Sequence, residues 1–175
     1  PDLVYKFTST SKVSFPGSGI AAVAASKANL DDFRAYMQIQ TIGHDKLNQL
    51  RHVKFFKDLD GLRAHMRKHA ALLRPKFELV LDTLEKELGG LGIGQWTSPH
   101  GGYFTSFDSL DGCAKAIVAK AKEAGVVLTG AGATYPYGKD PKDSNIRIAP
   151  SFPTLEDLEK AAQVFVLCVK LASVE

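Results

Sequence analysis

Two spacings of apolar residues divide the first half of the sequence into predicted strands and helices. Alternating positions over 3–8 predict a strand. The uncharged run 20–25 suits a short strand buried on both faces, although periodicity alone does not exclude a helix there. Asn29 is placed to begin a helix, and apolar residues three or four apart predict a much longer helix over 58–88. Because a proline removes a backbone donor and crowds the preceding turn, we expect a kink or a break at Pro75.

The second half predicts a compact unit of helices and strands. Asp111 is placed to begin a helix that Gly125 ends. Thr154, with Asp157 three residues later, resembles a capping box at the start of the last helix. Strands are predicted at 102–107, 126–129 and 145–149. This half of the chain therefore predicts a compact α+β unit.

The composition excludes several classes of protein. Of the 175 residues, 45% are hydrophobic, and the net charge is +3, values typical of a folded globular domain rather than a disordered or collagen-like chain. No apolar stretch reaches the roughly 18 residues of a membrane-spanning helix. Cys113 and Cys168 are too few for a disulfide scaffold and lack the spacing of metal ligands, which fits a reducing cytoplasm. The small positive charge does not by itself indicate a nucleic-acid partner.

The first candidate for chemistry is Lys12, which follows several small hydroxyl side chains and precedes the turn 16–19. In an extended backbone, Ser9 and Ser11 lie on one side and Thr10 lies on the other. Hydroxyl donors, a lysine and a glycine turn that a ligand can approach suit a phosphate-bearing ligand. A partly desolvated lysine near other cations can also attack a carbonyl carbon and form a Schiff base. The alternative is a polar strand end with a solvated lysine.

The second candidate is Arg147, in the predicted strand 145–149. Because side chains alternate across a strand, Ile146 and Ile148 share one face and Arg147 lies on the other. If the isoleucines pack against helices, the guanidinium is left on the opposite face, where its planar set of donors suits a substrate carboxylate. The alternative is an ordinary exposed arginine on an open face of the sheet.

No metal site is predicted. His65 and His69 lie one helical turn apart, a spacing that can hold zinc, but no third ligand is near and the neighbouring side chains are basic. A solvated helix face is the favoured interpretation of this pair. The basic residues of 51–76 are also interpreted as a solvated face, because aromatic interleaving and a known nucleic-acid-binding motif are lacking.

Several motifs follow one another in a recognisable order along the chain. They are Ser9-Thr10-Ser11-Lys12, Pro16-Gly17-Ser18-Gly19, the long helix, Gly101-Gly102-Tyr103-Phe104 and Asn145-Ile146-Arg147-Ile148. With these motifs the chain resembles the C-terminal part of a fold-type I, pyridoxal-phosphate-dependent aminotransferase of class I/II, in the bacterial aspartate-aminotransferase-like branch. The resemblance covers nearly all of the chain. It implies an α/β fold made of the end of a cofactor-binding large domain at 1–57, a bridging helix at 58–88 and a small α+β domain at 89–175.

The resemblance implies a role for each matching residue. Lys12 would hold pyridoxal 5'-phosphate as a Schiff base and then move the proton between the substrate α-carbon and C4′ of the cofactor. Ser9 and Ser11 would bind the cofactor phosphate, Arg147 would bind the substrate α-carboxylate, and 101–104 would form a wall of the pocket. The implied reaction transfers an amino group between an amino acid, aspartate or glutamate, and a 2-oxo acid. The implied setting is amino-acid metabolism, in a cytoplasmic homodimer.

The sequence departs from the family pattern in two places. The family has an arginine shortly after the lysine that pairs with the phosphate, whereas this sequence has the glycine turn, so that contact must come from elsewhere. Pro1 is not an initiator methionine, and the first strand is predicted almost at once, so we expect a fragment. The family's N-terminal portion carries the acidic partner of the pyridine nitrogen, and without it we expect the isolated chain to bind the cofactor poorly.

A second function from a different class fits the same motifs. The chain would then be a non-enzymatic, aminotransferase-like effector-binding domain of a GntR-type transcription regulator. Such a domain can keep the Schiff-base lysine and still catalyse no turnover.

Overall fold

The structure, a computed structural model, describes residues 2–174. The chain divides into two units between Ala71 and Leu72, a position that falls within one long helix. The first unit contains β1 Lys6–Ser9, β2 Ala21–Ala24, α1 Lys27–Gln40, α2 Lys46–Phe56 and the beginning of α3 Leu59–Leu88. The second contains the rest of α3, β3 Gly94–Trp96, β4 Thr105–Ser109, α4 Ala114–Glu123, a 3-10 turn Pro136–Gly138, β5 Asn145–Ile148 and α5 Leu155–Ala172. The predicted mixed α/β architecture is confirmed.

In the first unit, β1 and β2 form an antiparallel pair in which Ser9 lies opposite Ala21. Both predicted strands exist: β1 begins three residues later than predicted and ends one residue later, and β2 is one residue shorter at each end. The prediction that 20–25 is buried on both faces is wrong, because Ala21, Ala22 and Ala24 are exposed. Among the described residues this sheet has only two strands. An apolar run indicates a preference for burial but does not supply the layer that covers it.

The helices of the first unit begin at polar caps. Ser26, rather than Asn29, caps α1, and its hydroxyl accepts the backbone N–H of Asn29 at 3.3 Å. Asp45 caps α2 in the same way, accepting the N–H of Asn48 at 2.9 Å. The sequence patterns did not predict α2. Its apolar side chains are spread around the helix axis rather than along one face, and most are exposed: Leu47, Leu50, Val53 and Phe55.

The long helix predicted over 58–88 is confirmed. It runs for 30 residues and continues through Pro75, so the chain does not break there. A proline inside a helix removes one backbone hydrogen bond. The turns after the proline are held by a buried stripe, Val80, Leu84 and Leu88, which packs into the core of the second unit.

The second unit is organised by a three-stranded antiparallel sheet in the order β3-β4-β5. Phe107 of β4 is fully buried and makes an edge-to-face contact with Phe165 of α5, with ring centroids 5.1 Å apart. Gly94 of β3 makes room for Phe107, since a Cβ at position 94 would lie 2.5 Å from its Cζ. Other side chains of this core come from α3, α4, β5 and α5: Leu84, Leu88, Ala114, Ile117, Ile146, Val166 and Val169.

Three sequence predictions for the second unit are corrected by the structure. The strand predicted at 102–107 is β4, which begins three residues later and ends two residues later than predicted. The residue before α4 is Cys113 rather than Asp111, and it makes no side-chain capping hydrogen bond. Residues 126–129 form no strand, because Gly125 has a φ of +87° and the Val126 N–H donates back to the carbonyl of Ala121 at 2.8 Å, a helix-ending turn.

The start of the last helix agrees with its prediction. Thr154 caps α5, and its hydroxyl accepts the N–H of Asp157 at 3.1 Å. Both cysteines are reduced: Cys113 is half-buried and Cys168 is buried in α5, where burial raises the pKa of its thiol. No helix in residues 2–174 is both long enough and apolar enough to cross a bilayer.

Candidate active site

Lys12 lies in the loop 10–20 that joins β1 to β2. Two hydrogen bonds close the base of this loop. The Thr10 N–H donates to the carbonyl of Ile20 at 2.8 Å, and the Ile20 N–H donates to the hydroxyl of Thr10 at 2.9 Å. Inside the loop, the Val13 and Ser14 N–H groups both donate to the Thr10 carbonyl, at 2.9 and 2.8 Å. Lys12 is therefore held within a tight turn at the end of a strand pair.

The hydroxyls of Ser9 and Ser11 are brought together beside Lys12. Their Oγ atoms are 2.7 Å apart, and the Ser11 N–H donates to Ser9 Oγ at 3.1 Å. All three side chains are exposed. Two hydroxyl donors and an ammonium group within four residues are a donor set that suits a phosphate monoester with a nearby carbonyl. The assignment of these residues to the cofactor remains a prediction.

The glycine turn 16–19 was expected to leave space for a ligand, but at Gly19 the structure shows a different arrangement. Gly19 packs directly onto Ser11: a Cβ at position 19 would lie 2.4 Å from Ser11 Oγ and 2.8 Å from its Cα. The space at Gly19 is therefore filled by the loop itself rather than left for a ligand. Gly17, with a φ of +74°, has open space around its Cα.

Arg147 lies on β5, opposite Ser106 of β4. As predicted from the alternation, Ile146 and Ile148 are buried in the core and Arg147 is on the other face, half-buried. Its guanidinium carbon lies 4.3 Å from the ring centroid of Phe104, a cation–π contact.

The guanidinium is only partly satisfied by the protein. Arg147 Nη2 donates to Thr129 Oγ1 at 3.3 Å, a long hydrogen bond. The Nε–H of Arg147 is buried, and it has no acceptor among residues 2–174. A buried donor without a partner costs about 1–3 kcal/mol, so this guanidinium is prepared for an acceptor such as a carboxylate.

Polar contacts of Asn145 fix the start of β5. Its Nδ2 donates to Asp108 Oδ1 at 2.7 Å and to Ser106 Oγ at 2.8 Å, and its Oδ1 accepts the hydroxyl of Thr134 at 2.6 Å. The Asp140 carboxylate accepts the N–H groups of Asn145 and its neighbours, which holds the pKa of Asp140 below its usual value of 3.8. Arg147 is therefore two residues from Asn145, whose side-chain amide and backbone N–H are all hydrogen-bonded.

The segment 101–104, expected as a strand that walls the pocket, is irregular. Its contribution to the surroundings of Arg147 is the ring of Phe104. Thr129, the other partner of the guanidinium, was not singled out in the sequence because a lone threonine in a short apolar run carries no distinguishing pattern. Its role follows from the tertiary contact alone.

The His65 and His69 pair is not the solvated helix face that the sequence favoured. The rings are 4.4 Å apart, and His65 is half-buried with edge-to-face contacts to Phe55 and Phe56. Burial, with added repulsion from His69 and Lys68, lowers the pKa of His65. In the described part of the chain no three His, Cys, Asp or Glu side chains are grouped to hold a metal ion.

Comparison with known proteins places the chain in a family. A family model described as aspartate amino-transferase matches residues 1–175. The chain belongs to this family. Its relatives include an aspartate aminotransferase from Corynebacterium glutamicum, 46% identical over 175 residues, which are all of this chain and 40% of that protein. Aminotransferases of this family generally use pyridoxal phosphate.

Solved structures agree with the family assignment. An aspartate transaminase from Corynebacterium glutamicum matches with a TM-score of 0.94 and 46% identity, over 97% of this chain and 40% of that one. A multiple substrate aminotransferase from Thermococcus profundus matches with a TM-score of 0.83 at 20% identity, which shows the fold alone. The chain spans about 40% of the length of the curated relatives it matches. The family and the fold class predicted from the motifs are confirmed.

Proposed function

We propose that the protein carrying this chain is a pyridoxal-phosphate-dependent aminotransferase. The observation that carries the proposal is the Arg147 guanidinium, stacked on Phe104 with a buried Nε–H that lacks an acceptor among the described residues. An amino acid and a 2-oxo acid share one group that satisfies such a donor, the α-carboxylate. Membership of the aspartate aminotransferase family supports the same reaction.

Arg147 binds and orients the substrate in this proposal. A carboxylate that accepts the Nε–H and one Nη–H in parallel would be held in the plane of the guanidinium. Stacking on Phe104 and the hydrogen bond to Thr129 limit rotation of that plane. A fixed carboxylate fixes the direction of the bonds at the adjacent α-carbon, which is the atom that must lose a proton.

Ser9, Ser11 and Lys12 would hold the cofactor. The two hydroxyls, 2.7 Å apart, can donate to one phosphate group. When bound, pyridoxal phosphate supplies an electron sink for the charge that develops at the substrate α-carbon. The Lys12 amine would hold the cofactor, and it would accept the substrate α-proton as a base and give it back as an acid. In place of the family's arginine after the lysine, the Ser18 side chain or backbone N–H groups would complete the phosphate contact.

The finer parts of the proposal are supported by the family. We propose aspartate or glutamate as the amino donor with 2-oxoglutarate, because an aspartate aminotransferase is among the close relatives. We further propose a homodimer that acts in the cytoplasm in amino-acid metabolism. The named relatives are transaminases, which favours the enzyme over the effector-binding domain of a regulator.

The test is steady-state transamination of aspartate by the full-length protein and its variants. We expect Lys12→Ala to abolish turnover, because the amine both holds the cofactor and moves the proton. Arg147→Ala removes a charged hydrogen-bonding partner of the substrate, and we expect KM to rise roughly 10- to 100-fold with a smaller change in kcat. Lys6→Ala, which removes an exposed lysine of β1, is the matched control. Full turnover by Lys12→Ala would refute the mechanism.

A further inference from the structure

Two side chains of α2, one helical turn apart, reach the loop that carries Lys12. Asn48 Nδ2 donates to the carbonyl of Ser18 at 2.8 Å and lies 3.4 Å from that of Gly19. His52 Nε2 lies 2.8 Å from Ser14 Oγ. The first side chain therefore holds the end of the loop and the second holds its middle.

The hydrogen bonds of His52 define which ring nitrogen carries the proton. Its Nδ1 lies 2.8 Å from the carbonyl of Asn48, which can only accept, so Nδ1 is protonated. In the neutral ring, Nε2 is then an acceptor, and it faces two hydroxyls, those of Ser14 at 2.8 Å and Thr10 at 3.3 Å. The same Thr10 hydroxyl accepts the Ile20 N–H at the base of the loop. The ring thus ties the base of the loop to its middle.

This network is shielded from water. His52 and Ser14 are each 5% exposed. Phe15 packs against the histidine, with its ring centroid 5.1 Å from that of His52 and 5.8 Å from that of Phe56. Hydrogen bonds in a dry environment are stronger, and breaking one leaves a buried polar group without a partner. Ser14 Oγ also lies 2.9 Å from both the carbonyl oxygen and the hydroxyl of Thr10, so His52, Ser14 and Thr10 form one connected network in this dry environment.

The network bears on Lys12 through the backbone. Lys12 is two residues from Thr10 and two from Ser14, and both neighbours are bonded to His52. Asn48 holds the segment that includes Gly19, which in turn packs against Ser11 beside the lysine. With both flanks fixed, the Lys12 backbone has little freedom to move away from the Ser9 and Ser11 hydroxyls.

We propose that Asn48 and His52 are positioning residues: they hold the loop 10–20 in the one conformation that presents Lys12 to the cofactor. The proposal rests on the proposed function, in which Lys12 is the cofactor-bearing residue. Neither side chain is assigned contact with the cofactor or the substrate. Their effect is to keep the Lys12 amine and the Ser9 and Ser11 hydroxyls in fixed relative positions, so that the loop does not have to become ordered each time the cofactor binds.

The experiment compares three variants and a control of the full-length protein. His52→Leu removes both ring nitrogens, and His52→Gln restores a polar atom near the position of Nε2. Asn48→Asp keeps the shape of the side chain but replaces the Nδ2 donor with an oxygen that faces two carbonyls. His44→Leu changes an exposed histidine of the same unit and is the matched control.

Three quantities are measured for each protein. Hydrogen–deuterium exchange reports the opening of the loop in the cofactor-free protein. Incubation with pyridoxal phosphate, borohydride reduction and peptide mass spectrometry give the rate at which Lys12 is labelled. Thermal unfolding shows whether the rest of the protein is intact.

In His52→Leu and Asn48→Asp, we expect the amide hydrogens of 10–20 to exchange about tenfold faster than in the wild type. We also expect Lys12 to be labelled about tenfold more slowly in these variants, because each of them loses a hydrogen bond that holds the loop. His52→Gln should recover part of both effects, and His44→Leu should match the wild type. A uniform rise in exchange over the whole unit, without rescue by His52→Gln, would mean a general structural role and overturn the proposal.

Two further outcomes separate this inference from the proposed function. If the wild type is labelled at Lys12 and the variants are labelled at the same rate, the positioning role is wrong and the cofactor assignment stands. If the wild type is not labelled at Lys12, the cofactor assignment fails and the positioning role fails with it. Should His52→Leu not fold, Asn48→Asp and Ser14→Ala, which removes the buried hydroxyl bonded to His52, give the same comparison.

Discussion

The two units of the chain hold their candidate functional side chains in different ways. In 72–174, Arg147 lies on a strand whose neighbouring isoleucines are buried in a closed apolar core. In 2–71, Phe56 is the only buried apolar side chain among the described residues, and Phe7 is 68% exposed. Lys12 is instead held by hydrogen bonds from side chains to the backbone of its loop.

The comparison shows that two units of one chain can fix their candidate residues differently, one by apolar packing and the other by polar contacts. An apolar core holds a strand through many weak contacts, so no single polar group decides its position. A loop held by a few buried hydrogen bonds depends on each of them, because a lost partner leaves an unsatisfied group. Substitutions in the two units should therefore have effects of different size and kind.

The largest effect is expected for a truncation in the core of the second unit. Phe107→Ala removes a fully buried ring that contacts Phe165 and stacks near Trp96, and we expect the free energy of unfolding to fall by about 3–5 kcal/mol. Phe7→Ala, at an exposed ring of the first unit, should change it by about 0.5 kcal/mol or less. Urea unfolding followed by circular dichroism measures both. Equal losses would mean that the first unit is as dependent on packing as the second.

An intermediate effect is expected where the lysine loop closes on itself. Gly19→Ala places a Cβ 2.4 Å from Ser11 Oγ and 2.8 Å from its backbone, so the loop must open, at a cost of about 1–3 kcal/mol. Gly43→Ala, where a Cβ meets no atom within 4 Å, is the control in the same unit. Unfolding free energies and exchange of the 10–20 amides give the comparison. A Gly19→Ala protein with wild-type exchange in the loop would contradict the close packing.

The smallest effect is expected at the anchor of β5 and depends on pH. The pKa of Asp140 is lowered in the folded chain, so its carboxylate contributes stability that is present above about pH 4 and is lost as the pH falls through the folded value. We expect Asp140→Asn to lower Tm slightly at pH 7 and the difference from the wild type to shrink towards pH 3. Asp32→Asn, an exposed carboxylate of α1, is the control. A Tm difference that does not change with pH would show that the effect is not electrostatic.

Elements with a long, regular pattern could be predicted from the sequence. The periodic stripe of α3 and the capping residue of α5 are local features, and both are present in the structure. β3 was missed because its three residues include a glycine and carry no alternation, and the sheet partner that makes it a strand is β4. The strand predicted at 126–129 failed for the opposite reason, since its apolar run has no partner strand within the described residues.

By itself the sequence determined the family, the succession of the main elements and the side of β5 on which Arg147 lies, because periodicity and motif order are encoded in neighbouring residues. Only the tertiary structure decided the surroundings of the two candidate residues. Ser14 and His52 are 38 residues apart, and Thr129 and Arg147 are 18 apart. Contacts between residues so far apart follow no periodic pattern in the sequence. They form only when the folded backbone brings the two partners together.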